Sequence, residues 1–253
     1  MKVKKSTIAF LVTVFFASFL VYFVLNFLPY RENSTDSYVQ FSCRKDMGIC
    51  EHEGKICFRE SLETKYGKIL YDPFDCSSGK EIEYDCYSPK TCLIYFTGIG
   101  CPHCAKVDPH LFYGFVQKNP IVLIEYEVYK DRDNAKVMDW YVSNLVKNFT
   151  HAAIPQIYIN GSMFLIGDIP ILSNLAKYVE KSEGVCELDV IRRVLFGGEL
   201  DKDNDEKWFS GEPKIWYCNR VLVFRKGEKP TEEFFREFFS PNFNLNLMKE
   251  KFS

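Results

Sequence analysis

One stretch constrains this chain more than any other: Thr91 to Gln117, TCLIYFTGIGCPHCAKVDPHLFYGFVQ. Thr91–Thr97 is β-branched and aromatic, as a buried strand should be. Gly98 and Gly100 break it. Cys101-Pro102-His103-Cys104 follows, and the spacing beyond it predicts a helix. Pro102 suits a first helical turn, where the N–H it lacks has no intrahelical partner. A sulfur at that junction faces unsatisfied amides and the positive end of the helix dipole, which favour thiolate over thiol. Cys104 lies one turn on, near enough to close a disulfide with Cys101. His103 between them supplies a donor or a positive charge.

A lone Cys-x-x-Cys is also half of a zinc site. Structural zinc sites usually take a second pair of similar spacing, and the chain has no other Cys-x-x-Cys. Redox chemistry is the reading carried forward, with no metal and no organic cofactor expected.

On three features the sequence resembles the thioredoxin superfamily. The first is the strand–Cys-x-x-Cys–helix order. The second is Pro109, where thioredoxins carry a helix-kinking proline. The third is Ile154-Pro155, followed by the strand Gln156–Ile159, the turn Asn160-Gly161 and the strand Ser162–Ile166. The tetrapeptide CPHC is similar to that of DsbA-type periplasmic oxidases, whereas IPQIYING resembles glutaredoxins. The resemblance covers 88–184. It implies an α/β thioredoxin-like fold, a central mixed sheet flanked by helices in the order β-α-β-α-β-β-α. It also implies a cis Ile154–Pro155 bond packed on the active-site pair. Catalysis falls to Cys101 and Cys104, tuned by Pro102 and His103, with Ile154 and Pro155 shaping the substrate groove. Relatives often hold a buried carboxylate six residues before the first cysteine, where this chain has Tyr95. Glu125 and Glu127, late in the strand Ile121–Val128, are the candidate proton acceptors; the plainer reading makes them solvated strand-end residues.

Around this segment, composition sets the compartment. Ten cysteines in 253 residues argue for an oxidising one. A net charge of −2 leaves no nucleic-acid footprint. After the stub 1–7, with Lys2, Lys4 and Lys5, the run Ile8–Leu28 carries no charge and is long enough to span a bilayer. A cleavable signal peptide would be shorter and end at a small-x-small site; Asn26-Phe-Leu-Pro-Tyr30 offers none. We therefore expect a single-pass signal anchor at the cell membrane or an endomembrane, with the body on the extracytoplasmic side.

Residues 29–87 read as a tether and Cys-rich extension, with short strands at Lys55–Arg59 and Lys68–Tyr71. So small and polar a segment is expected to have little core of its own and to rely on disulfides. The six cysteines from Cys43 to Cys92 allow 15 connectivities and are expected to pair among themselves, leaving Cys186 to pair with Cys218. A metal site using His52 fails on ligand spacing. In the extension 185–253, Ile215–Phe224 reads as one strand and Thr231–Phe239 as a helix with a Phe-rich face. Asp201, Asp203, Asp205 and Glu212 follow a calcium-loop spacing, but Glu206 stands where glycine is needed. Asn33, Asn148 and Asn160 fit the glycosylation pattern, and Asn160 is better explained by a hairpin turn.

The functional expectation is a membrane-anchored protein-disulfide oxidoreductase, oxidase/isomerase or reductase, acting on exported protein thiols. A membrane redox partner would recycle the Cys101–Cys104 pair. The alternative is a non-catalytic thioredoxin-like binding module at the membrane surface.

Overall fold

Thr91–Thr97 forms an interior strand of the sheet, and all seven of its residues are buried. The computed structural model describes residues 49–50, 56–75, 79–82, 84–146, 153–160, 163–182, 186, 191, 212–225 and 227–253. The expected span 8–28, the tether, the calcium-like loop before Glu212, and Asn33 and Asn148 lie outside them. No described helix is long and apolar enough to cross a membrane.

Nine strands form one sheet: β1 (Ile49–Cys50), β2 (Ile56–Thr64), β3 (Gly67–Asp75), β4 (Thr91–Thr97), β5 (Ile121–Glu127), β6 (Gln156–Ile159), β7 (Met163–Ile166), β8 (Lys214–Tyr217) and β9 (Arg220–Phe224). Their order across the sheet is β1-β2-β3-β9-β8-β5-β4-β6-β7. β4 and β5 are parallel, and every other pairing is antiparallel. The helix after β4 has three parts: α1 (Cys104–Asp108), a π-helical segment (Pro109–Phe115) and α2 (Val116–Lys118). α3 (Arg132–Leu145), α4 (Asp168–Glu180), α5 (Glu232–Phe238) and α6 (Leu245–Phe252) complete the described helices. From β4 to α4 the order is the expected β-α-β-α-β-β-α, a mixed sheet flanked by helices and compatible with a thioredoxin-like fold.

Strand alternation sorts the core into two layers. Leu93, Tyr95, Leu123, Ile157 and Trp216 face Val107, Leu111, Phe112, Ile171 and Leu175 of α1, the π segment and α4. Cys92, Ile94, Phe96, Val122, Ile124 and Tyr126 face Val137, Met138 and Tyr141 of α3 and the phenylalanines of α5 and α6. Tyr141 is therefore a core residue, as its helical spacing predicts. Asp131 caps α3 by accepting from the amides of Asp133 and Asn134, at 2.8 and 3.3 Å. The helix after β4 widens at Pro109 because proline offers no N–H to Ala105.

The flanking segments depart from expectation in three ways. The Cys-rich extension has a core after all: Ile56, Phe58, Leu62, Ile69, Leu70 and Phe74 are buried. β2 and β3 are each nine residues long, more than the short strands expected, because β9 gives β3 a partner on its other side. Gly67 permits that approach, since a Cβ there would stand 2.1 Å from the carbonyl oxygen of Val223. The run Ile215–Phe224 is a hairpin rather than one strand, turned at Cys218-Asn219 with Cys218 at φ 51°. The helix α6 has no counterpart in the sequence reading.

The disulfides also differ. Cys86 pairs with Cys218 and Cys92 with Cys186. These two bridges cross-link the thioredoxin-like segment and its neighbours to the C-terminal region, instead of closing within each. Cys57 is disulfide-bonded as well, and no described cysteine is free.

Phe234 of α5 is fully buried. Its ring meets Tyr66 at 4.8 Å and Phe252 of α6 at 5.1 Å. Phe234→Ala should cost about 3–5 kcal/mol, measured by denaturant unfolding. A cost under about 1 kcal/mol would show that α5 and α6 are not part of the cooperative core.

Candidate active site

Local chain chemistry brings Cys101 to the end of β4. The Cys101 amide donates to the Gly98 carbonyl at 3.0 Å, closing a turn between strand and helix. Gly98 keeps that turn open for its neighbours: a Cβ would stand 2.6 Å from Ile154 Cδ1 and 2.8 Å from the Tyr129 ring. Glu127 fastens the turn from β5, accepting from the Ile99 amide at 2.9 Å and from the amides of Tyr129 and Lys130 at 3.1 and 2.8 Å. Its carboxylate thus organises two loops.

Cys101 and Cys104 form a disulfide with their Cα atoms 5.2 Å apart. The Cys104 amide points at Cys101 Sγ from 3.1 Å, the interaction expected of a sulfur at a helix start. The Ile154–Pro155 bond is cis, and the Ile154 carbonyl oxygen lies 3.9 Å from Cys101 Sγ. Cys101 is only 2% exposed, and Cys104 is fully buried. The little access there is belongs to Cys101. Pro102 and His103 are exposed.

Two residues that the sequence reading did not single out join this cluster. Asp168, at the start of α4, receives Lys106 Nζ at 2.9 Å and lies 3.2 Å from His103 Nδ1. The Lys106 ammonium first and His103 second hold the Asp168 carboxyl well below the usual carboxylate range. A depressed carboxyl stabilises the fold above its ordinary pKa of about 4 and loses that contribution only as pH falls further. Asp168 is therefore ionised at neutral pH, where it holds Lys106. No local pattern announces Asp168, since it approaches His103 from another helix.

Asp108, the second, is 3% exposed. It accepts from the Tyr95 hydroxyl at 2.5 Å and from Thr97 Oγ1 at 3.2 Å. Burial first, then the Asp108 charge, push the Tyr95 phenol well above its ordinary value, so Tyr95 remains a donor. Tyr95, six residues before Cys101 in β4, thus supplies a phenol that grips a carboxylate from the helix. One signal existed in the sequence: Asp108 shares a helix face with Cys104 and lies beside the apolar Val107 and Leu111. Glu125 is also buried, accepting from the Trp216 indole at 2.6 Å, with Lys214 Nζ 4.0 Å away. Asn160, at φ 49°, uses its side chain to accept from the Cys92 amide at 3.1 Å and donate to the Ser182 carbonyl at 2.8 Å, a turn-holding role.

No protein-family model matches the chain, and no curated protein matches it. Among solved structures it is similar to the crystal structure of glutaredoxin 1 from Francisella tularensis complexed with cacodylate. The identity is 21%, the match covers 36% of this chain and 98% of that one, and the TM-score is 0.26.

The charges around the pair make a signed prediction. Asp168→Asn removes a negative charge that pairs with Lys106 and His103, the residues flanking the cysteine pair, and should lower the Cys101 pKa by about half a unit, making the disulfide more oxidising. Lys106→Met should shift both quantities the other way. Thiolate absorbance titration and redox equilibration would read them; shifts of the same sign in both variants would refute the assignment.

Proposed function

We propose that the chain is a thiol–disulfide oxidoreductase acting on protein thiols through Cys101 and Cys104. The observation that carries this reading is the disulfide at the strand–helix junction, with the Cys104 amide on Cys101 Sγ and the cis Ile154–Pro155 bond beside it. In the oxidising direction, a substrate thiolate attacks Cys101 Sγ. The Cys101–Cys104 bond breaks, and Cys104 leaves with the electron pair. A second substrate thiolate then attacks the substrate sulfur of the mixed disulfide, and Cys101 leaves as thiolate, favoured by the adjacent amide. The substrate loses two electrons and the pair gains them. Reduction runs the same steps backwards, with Cys104 attacking the mixed disulfide at Cys101 Sγ. Its proton passes to Asp108, one helical turn along the same helix and also buried. Glu125, tied to Trp216, is the weaker candidate for that proton.

Substrate backbone has a place to pair. Ile154 makes no backbone hydrogen bond with a described residue, which leaves its amide and carbonyl for an extended peptide. Ile99, Tyr129 and Ile169 expose apolar surface near the pair, at 46%, 58% and 73%. We further propose that 8–28 anchors the chain with the body on the oxidising side of the membrane, and that a membrane redox partner recycles the pair. The Pro-His dipeptide supports the oxidising direction and the IPQIYING segment the reducing one; a reduction potential decides between them.

Cys104→Ala should accumulate mixed disulfides with substrate proteins, whereas Cys101→Ala should accumulate few. Equal trapping by both variants, or by neither, would overturn the roles, and no turnover in insulin reduction or oxidative refolding would favour the binding module.

Asp108→Asn should slow resolution of a preformed mixed disulfide about a hundredfold, with Glu125→Gln having a smaller effect. Stopped-flow resolution kinetics would check this, and an unchanged rate would remove Asp108 from the mechanism.

A further inference from the structure

Away from the Cys101–Cys104 pair, a buried cation lies against a second disulfide. Arg220 of β9 is 1% exposed, and among the described residues no carboxylate pairs with it. Its Nη1 donates to the Ser240 carbonyl at 3.3 Å, its guanidinium lies over the rings of Tyr217 and Phe243, and its Nε has no partner. Its Nη2 lies 3.5 Å from Cys86 Sγ, in the Cys86–Cys218 bridge. Burial pulls the guanidinium down to about 10, which leaves it charged at neutral pH. Burying an unpaired cation is costly, and against a neutral disulfide it recovers little. Beside a thiolate it gains a full charge–charge hydrogen bond. The reduced state is the one this arrangement stabilises.

The two sulfurs differ in access. Cys86 is partly exposed, between the exposed Asp85 and Tyr87, whereas Cys218 is 4% exposed. We propose that Cys86–Cys218 is a second exchange-competent disulfide, opened by a dithiol through attack on Cys86 and held reduced by Arg220. The incoming thiolate bonds to Cys86 Sγ, the Cys86–Cys218 bond breaks, and Cys218 leaves as thiolate. The second thiol of the dithiol, deprotonated, attacks its own sulfur in the mixed disulfide and expels Cys86 as thiolate beside Nη2. The dithiol ends as a disulfide, having given two electrons to the bridge. Reduction also removes a covalent tie between the segment leading into β4 and the β8–β9 turn.

Other groups face this sulfur. Asn219 Oδ1 stands 3.6 Å away and accepts from the thiol form. Asp85 follows the same course along the chain and opposes a thiolate from solvent, where screening weakens it. Asp72 is engaged by Tyr84 and Arg59. Burial raises Tyr84 and Tyr217 and keeps both neutral. The guanidinium, closest and dry, outweighs these.

The test uses the full chain carrying Cys101→Ser and Cys104→Ser, so that it is independent of the function proposed above. Equilibration with dithiothreitol, followed by alkylation mapping, compares the bridge with Cys92–Cys186, whose cysteines are 2% and 3% exposed. Cys86–Cys218 should open at a reductant ratio about tenfold lower, and Arg220→Met should remove most of that difference while Arg220→Lys keeps it. Both bridges opening together, or no change in Arg220→Met, would overturn the proposal. A second measurement needs no Arg220 variant. In the reduced chain, alkylation of Cys86 should show a pH midpoint below about 8.5, the ordinary thiol value; a midpoint at or above it would also overturn the proposal.

Discussion

The antiparallel pairing of β5 with β8 is the contact on which the rest of this structure depends. Without β8, β5 would present a bare edge of unpaired amides and carbonyls, and the sheet would stop at β5-β4-β6-β7. With it, the sheet continues through β9 to β3, β2 and β1. The pairing also supports the helix that carries the cysteines. Trp216 of β8 stacks on Phe112 at 4.3 Å and bonds Glu125. A ring from late in the chain thus lies beneath the Cys101–Cys104 helix. The extensions are not appendages to a finished fold but part of its core.

What could be read from the sequence was short-range. β4, the Cys-x-x-Cys junction and the Ile154-Pro155 turn each sit within a few residues of the signals that specify them. β2 and β3 were under-read because IleCysPheArgGluSerLeuGluThr places three consecutive exposed residues, Arg59, Glu60 and Ser61, inside a strand. Its regularity is imposed by β3, and that of β3 by β9. The same reason hid the hairpin at Cys218. A run of apolar residues reads as one strand, and only the partner on each side shows that it folds back.

The site divides along the same line. Cys101, Cys104 and His103 follow from spacing and Pro155 from the resemblance, whereas Asp168 reaches His103 from a separate helix. The pairing of cysteines is longer-range still. Proximity in the chain favours bridges among Cys43 to Cys92, but Cys92 is the second residue of β4 and its side chain enters the layer that also holds Cys186. Sheet geometry overrides chain proximity there.

The place of β9 also bears on the order in which the chain can acquire its structure. β3 lies beside a strand that begins about 145 residues later in the sequence, at Arg220, and Cys86 waits for a partner 132 residues away. A chain emerging from its amino-terminal end therefore displays β2 and β3 as a hairpin with one open edge until β9 follows, Cys92 as an unpaired thiol until Cys186 and Cys86 until Cys218. Contacts of such separation are slow to form. Wherever such a chain meets oxidant during synthesis, the cysteines that stabilise the fold stand beside others with which they must not pair, and the yield of folded protein rests on delaying oxidation, or correcting it, until Cys218 arrives.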